Sequence, residues 1–227
     1  MSSIDRRRWL ALSGAALAGA GLATDSAGQK LATATKRVVT PRERIRERHL
    51  PNFTLTTHEG KKVKFYDDLV KDKIVVINMM YAQCQGVCTP ITANLVKVHK
   101  LLGPRVGRDI FFYSITISPE KDSPKALKHY AAMHKIKPNS GWLFLTGKPD
   151  EIEKLRRSLG FVDPDPVVDR DRSNHIGNVR MGNEPRMLWA ACPGLARASA
   201  IANAIAGLGD DREEPPDAEA GGKGGGR

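Results

Sequence analysis

The sequence predicts an α/β domain, a mixed β-sheet flanked by helices with an N-terminal β-hairpin extension, and three observations carry that prediction. Two continuous apolar runs rich in β-branched residues, KIVVINMMY and DIFFYSITIS, have the length and composition of strands buried on both faces. Each is followed by a stretch of helical period that opens on a hydroxyl residue and a proline, Thr89-Pro90 and Ser123-Pro124. Strand and helix signals then alternate until two consecutive strands and an Ala-rich helix close the pattern.

The elements follow in order. FTLTT (Phe53 to Thr57) and KVKF (Lys62 to Phe65) flank HEGK and read as a β-hairpin. KIVVINMMY is the first core strand. TPITANLVKVHKLLG is a helix with Thr89 as its cap and Gly103 as its stop, and Ile91, Leu95, Val98 and Leu102 fall on one face. DIFFYSITIS is a second core strand, SPKALKHYAAMHK a helix capped by Ser123, GWLFLTG a short strand and KPDEIEKLRRSLGF a helix closing near Gly160. IGNVRM and RMLWAAC form a terminal pair of strands, and a helix runs from about Leu195 to Leu208. Two cysteines, Cys84 and Cys88, sit where the first core strand meets its helix, which makes the predicted sheet thioredoxin-like.

Around this domain lie segments of different character. Residues 1–28 read as an export signal: DRRRWLALSGAALAGAGLA has a basic start and an apolar region, Trp9 to Ala23, too short to span a ~30 Å hydrocarbon core comfortably. The Arg6-Arg7 pair with Arg8, Trp9 and Leu10 fits a twin-arginine signal. Residues 29–50 read as a basic linker, 51–208 as the folded domain and 209–227 as a disordered tail rich in Gly, Pro and acidic residues. The expected location is therefore the periplasm of a bacterium, exported or held at the inner membrane by an uncleaved N-terminus.

Composition excludes some functions. A hydrophobic content of 41% with 27% charged residues describes a soluble globular chain. The net charge of +11 raises nucleic-acid binding, but much of the excess sits in one arm, where Lys36, Arg37, Arg42, Arg44, Arg46 and Arg48 face two glutamates. Aromatic residues are only 6%, with no stacking platform or helix-turn-helix, so no nucleic-acid partner is expected and the arm reads as a linker near an anionic membrane surface.

Outside the cytoplasm a close cysteine pair is a disulfide, a working redox couple or a metal site. Cys84 lies in the loop after the strand and Cys88 immediately before the helix cap, so the two side chains share one face. The helix N-terminus lowers thiol pKa, and thiolate serves both redox chemistry and soft-metal binding, so the spacing alone leaves the three readings open. The third cysteine, Cys192, reads as a buried structural thiol. Of six histidines, His99, His129 and His134 read as surface residues, and His49 and His58 precede the core. His175 differs: it follows the acidic loop DPDPVVDRDRSN and directly precedes the strand IGNVRM. In a thioredoxin-like sheet that strand lies beside the first core strand, and the loop entering it faces the cysteines. Two thiolates and one imidazole form a set suited to copper, as Cu(I) or Cu(II). Met79, Met80 and Met181 read as core, and Asp163, Asp165, Asp169 and Asp171 as a solvated loop without the glycine and glutamate of a calcium site.

INMMYAQCQGVCTPITANL, YSITISPEKDSPKALKHYAAMH, GWLFLTGKPDEIEKL and SNHIGNVRMGN together resemble, in order, the Sco/SenC copper proteins, known for helping to assemble cytochrome c oxidase. The resemblance spans roughly residues 48–208. It implies that Cys84, Cys88 and His175 are copper ligands. It also implies a periplasmic role in delivering copper to, or reducing the thiols of, the binuclear copper site of an oxidase subunit. Another copper carrier or a thiol reductant would be a further partner. Departures from the family pattern are Gln85 and Thr89 where prolines are common, Ser118 where an acidic residue is common, and Ile176 after the histidine.

Two functions follow. The first is a metallochaperone holding copper through the three ligands. The second is a thiol–disulfide oxidoreductase in which Cys84 and Cys88 carry the redox chemistry without copper transfer. A peroxiredoxin-type peroxidase is disfavoured because Met80 occupies the position its threonine would need.

Overall fold

The computed structural model describes residues 39–84, 86–170 and 177–209. The expectations for the export signal, the start of the linker, the tail, Gln85, Asp171, His175 and Ile176 lie outside the described residues.

A seven-stranded sheet forms the centre, in the order β2-β1-β5-β4-β3-β6-β7. The strands are β1 (Thr54–Thr57), β2 (Lys62–Lys64), β3 (Ile74–Met80), β4 (Ile110–Thr116), β5 (Trp142–Thr146), β6 (Asn178–Asn183) and β7 (Leu188–Pro193). Strands β3, β4 and β5 run parallel, and β6 joins β3 antiparallel, with Val76 opposite Met181 and Asn78 opposite Val179. The hairpin β1–β2 extends the sheet beyond β5, and β7 closes the other side against β6. The expected placement of the last strand pair beside the first core strand is what the sheet shows.

The helices are α1 (Pro41–His49), α2 (Cys88–Leu102), α3 (Pro124–Met133), α4 (Pro149–Ser158), α5 (Pro166–Arg170) and α6 (Ala198–Gly209). Successive strand side chains alternate faces, so β3 serves two cores. Val76 and Met80 pack with Leu95 and Val98 of α2, Leu127 and Tyr130 of α3, and Ile201 and Ile205 of α6. Val75, Ile77 and Met79 pack on the other face with Ile152 and Leu155 of α4 and with the helical turn Phe65–Val70. All of β3 is buried, which explains its uninterrupted apolar run. Met79, Met80 and Met181 are core, as expected. The polar exception is a closed chain in which the Trp142 indole donates to Ser114 Oγ (2.9 Å) and Ser114 donates to Asn78 Oδ1 (2.8 Å).

Three local findings differ from the sequence expectation. Helix α2 begins at Cys88; its N-cap is Val87, without a side-chain hydrogen bond, and Thr89 and Pro90 lie inside the first turn. Gly103, at φ +57°, ends that helix as expected. Within the basic arm, residues 41–49 are helical: Thr40 and Glu43 form a reciprocal capping box, with Pro41 at the first helical position. The acidic loop carries the short helix α5. Its Asp169 is not solvated; it holds the Arg156 guanidinium through two bonds (2.7 and 2.8 Å) and accepts the Asp163 N–H (2.9 Å).

Candidate metal centre

The site sits at the carboxyl end of β3, where ligands of open α/β sheets gather. After Met80 the chain turns at Tyr81–Cys84, with the Cys84 N–H donating to Tyr81 O (3.2 Å), and α2 begins at Cys88. Cys88, on the first turn, is carried inward with Ile91 and Leu95, the stripe that packs α2 on the sheet. Both cysteines are sheltered: Cys84 is 8% exposed and Cys88 1%. All three cysteines are free thiols.

Their electrostatics are unequal. Burial opposes a charge on Cys84, but hydrogen bonds from the Cys88 thiol, from the Cys88 and Gly86 backbone and from the Tyr81 side chain outweigh it, and its pKa is lowered. Burial pushes the Cys88 thiol well above its usual range, and donation to Cys84 pushes it further. The expected lowering by the helix N-terminus therefore fails for Cys88, because desolvation exceeds the partial charge of one helix end. The pair is arranged with Cys88 as hydrogen-bond donor and Cys84 as acceptor, so negative charge is favoured at Cys84 over Cys88.

Tyr130 of α3 packs in the same core as the pair and was not singled out by the sequence. Its hydroxyl pairs with Thr92 Oγ1 at 3.0 Å. Burial raises its pKa, hydrogen bonds from Thr92 and Thr89 offset part of the rise, and the charges of Cys88 and Cys84 add to it. Its position at the inward face of α3 was readable; its bond to a helix residue 38 positions upstream was not.

Among the described residues, no third His, Cys, Asp or Glu joins Cys84 and Cys88 in a metal-sized group. His175, the third expected ligand, lies outside them. Its described flank is informative: a Cβ on Gly177 would meet Ile91 Cδ1 at 2.9 Å and Val87 Cγ2 at 3.6 Å. The Gly194 N–H donates to Gly177 O at 2.8 Å, so β6 enters the sheet against the first turn of α2. Other histidines are held elsewhere. His58 is buried, contrary to a merely peripheral hairpin position, and its Nδ1 accepts the Phe144 N–H at 3.2 Å. His99 is half-buried, stacked on Trp142 and bonded to Ser140 O, which corrects its assignment to the surface. His134 is likewise half-buried, against Tyr130, so of those three only His129 is exposed. Cys192 is half-buried against the same core as the pair, and burial raises its pKa.

Two soft sulfur donors at a strand-to-helix junction in a thioredoxin-like sheet are an arrangement suited to thiol-based metal or redox chemistry. The SCO1/SenC family profile matches residues 41–208. The chain belongs to that family. The SCO1 protein homolog of Bacillus subtilis (strain 168) is 31% identical over 104 residues, 45% of this chain and 52% of its own length, so the match spans about half of that relative. The copper-bound structure of Bradyrhizobium japonicum ScoI shares the fold at TM-score 0.55 and 23% identity, over 69% of this chain and 96% of that one. So does BsSco, described as a member of the Sco family of cytochrome c oxidase assembly proteins with a disulfide switch, at TM-score 0.56 and 24% identity over 69% and 90%. Among the described residues no helix is long and apolar enough to cross a membrane.

Proposed function

We propose that this protein is a copper metallochaperone of the periplasm, which holds one copper ion as cargo and passes it to the binuclear copper site of a respiratory cytochrome c oxidase. The observation that carries the reading is the buried Cys84–Cys88 pair at the β3–α2 junction, with the chain two residues beyond His175 lying against Val87 and Ile91. Two thiolates suit Cu(I), and an imidazole from the loop before Gly177 completes a set that tolerates both oxidation states. Cys84, the less buried of the two and the one whose charged form is favoured, is the exchange point; Cys88 is the anchored donor. The copper-bound relative and the oxidase-assembly relative support the reading. Export rests on the basic and apolar N-terminal segment, and the basic arm is the part suited to an anionic membrane surface.

A second reading is favoured by the unequal thiols. A low-pKa thiolate beside a protonated partner is the arrangement of a dithiol that exchanges with disulfides. Transfer of two electrons to an external disulfide, with the Cys88 proton and one from solvent completing the two thiols released, would join Cys84 to Cys88 and remove both sulfur ligands at once, so copper loading and redox state are coupled.

The test is a Cu(I) titration of the reduced chain under anaerobic conditions against a competing chelator, with His175→Ala in parallel. Tight binding of one equivalent, weakened strongly by the substitution, is the expected result. Weak binding indifferent to His175 would leave the oxidoreductase reading alone.

A further inference from the structure

Asp122 is 1% exposed and, among the described residues, forms no ion pair. Burying a carboxylate in that state is costly, so the bonds it makes must recover the cost. Its Oδ2 accepts the Ala82 N–H at 3.0 Å and the Thr116 hydroxyl at 2.5 Å. Ala82 belongs to the loop that carries Cys84, two residues further on; Thr116 ends β4. Both partners are donors, and Thr116 Oγ1 in turn accepts the Ser118 N–H at 2.9 Å, so its own proton is committed to Asp122. The Asp122 N–H donates to Ser118 O (2.9 Å), which closes a tight turn after β4. Ser118, the position that lacks the family's acidic residue, enters this turn through its backbone. The Ile117 N–H to Met80 O bond (2.8 Å) aligns the two strand ends beneath it.

We propose that Asp122 is the positioning residue of the cysteine loop. Its carboxylate ties the Tyr81–Cys84 turn to the end of β4 and thereby sets the separation of the Cys84 and Cys88 sulfurs. The β3–β4 ladder ends at Met80 and Thr116, and Ala82, two residues beyond it, is held by the Asp122 side chain. Groups that orient a metal ligand from behind commonly change affinity 10–100-fold when lost. The inference rests on the reading of the pair as a metal and redox site, but its geometric content is independent of copper.

The experiment compares the full chain with Asp122→Asn, Asp122→Ala and, as a control, Ser123→Ala. Ser123 caps α3 next to Asp122 in the chain, its Oγ accepting the Ala126 N–H (3.3 Å) and making no bond to the cysteine loop among the described residues. Transfer of Cu(I) to a chelator is expected to quicken about tenfold or more in Asp122→Asn and further in Asp122→Ala, with Ser123→Ala unchanged. In the metal-free protein, the ratio of Cys84 to Cys88 alkylation rates should fall towards one in the Asp122 variants and not in Ser123→Ala. Thermal melting of each variant separates loss of fold from loss of positioning, and Thr116→Val, which removes one of the two bonds, gives an intermediate effect should Asp122→Ala fail to fold. Wild-type alkylation ratios in Asp122→Asn, or equal effects from Ser123→Ala, would overturn the proposal. Failure of the wild-type chain to bind copper would sink the chaperone reading instead, while the alkylation ratio would still decide the role of Asp122.

Discussion

Cys84 and Cys88 are four residues apart and lie in the same core, yet they are chemically different residues. Burial opposes the Cys84 thiolate, but hydrogen bonds from Cys88, Gly86 and Tyr81 favour it, while burial keeps Cys88 protonated. At neutral pH, iodoacetamide should therefore modify Cys84 first, read by peptide mass spectrometry after partial labelling. In Cys84→Ser the remaining Cys88 should stay slow, because burial, the larger cause of its raised pKa, persists; rapid labelling of Cys88 would contradict this assignment. The pair was legible in the sequence because an apolar strand and a helix bracket it. The inequality was not, since it depends on Tyr81 and on desolvation by the packing of α2 against the sheet. The loop aspartates show the same limit: Asp163 and Asp165 turn on their own backbone, whereas Asp169 is claimed by Arg156 from α4.

At the scale of the element, α1 shows how one buried carboxylate recruits a helix. Glu184, in the turn between β6 and β7, is 3% exposed. It holds Arg42 through two contacts, at 2.7 and 2.5 Å, and also accepts the Tyr66 hydroxyl (2.8 Å) and the Asp72 N–H (2.9 Å). Arg46 adds a stacked contact 5.3 Å above the Tyr66 ring. None of the residues of α1 is buried, so these polar contacts and the capping box hold it in place. Arg42→Ala leaves Glu184 buried without its cation and should cost about 2 kcal/mol in urea unfolding, a partly exposed pair being worth less than a fully buried one; a cost below about 0.5 kcal/mol would show the helix to be only loosely docked. Thr40-Pro41-Arg42-Glu43 is a capping-box sequence and could have disclosed this helix. Its charge density reads as that of a linker instead, and its docking partner lies 142 residues away.

Across the whole molecule, His58 is the group whose titration bears on stability. Burial lowers its pKa, the neighbouring Glu59 opposing this in part and Lys128 adding to it. The unfolded chain binds a proton near pH 6.5 and the folded chain only at lower pH, so the unfolded state holds more protons in between. Stability from His58 is thus complete above about pH 6.5 and is lost as pH falls through the folded value. His134, whose pKa burial also lowers, acts in the same direction. The thermal midpoint should drop between about pH 7 and pH 5, and His58→Gln should flatten that drop; an unchanged slope would place the acid sensitivity elsewhere. The residue lies where β1 meets β5, so its protonation loosens the attachment of the hairpin, an element far along the sheet from β3.

The sequence by itself determined the elements, their order and the junction where the thiols lie. Those features are written in local periodicity: unbroken apolar runs for strands buried on both faces, helical spacing for α2 and α3, and proline or glycine at their ends. The thioredoxin-like pattern of the elements, rather than any local signal, is what placed β6 beside β3. Only the tertiary structure decided which distant polar groups meet: Asp122 with Ala82, Arg42 with Glu184, Arg156 with Asp169, Tyr130 with Thr92. Each joins residues whose spacing carries no period, and each becomes favourable only once burial removes the water that would otherwise satisfy both partners.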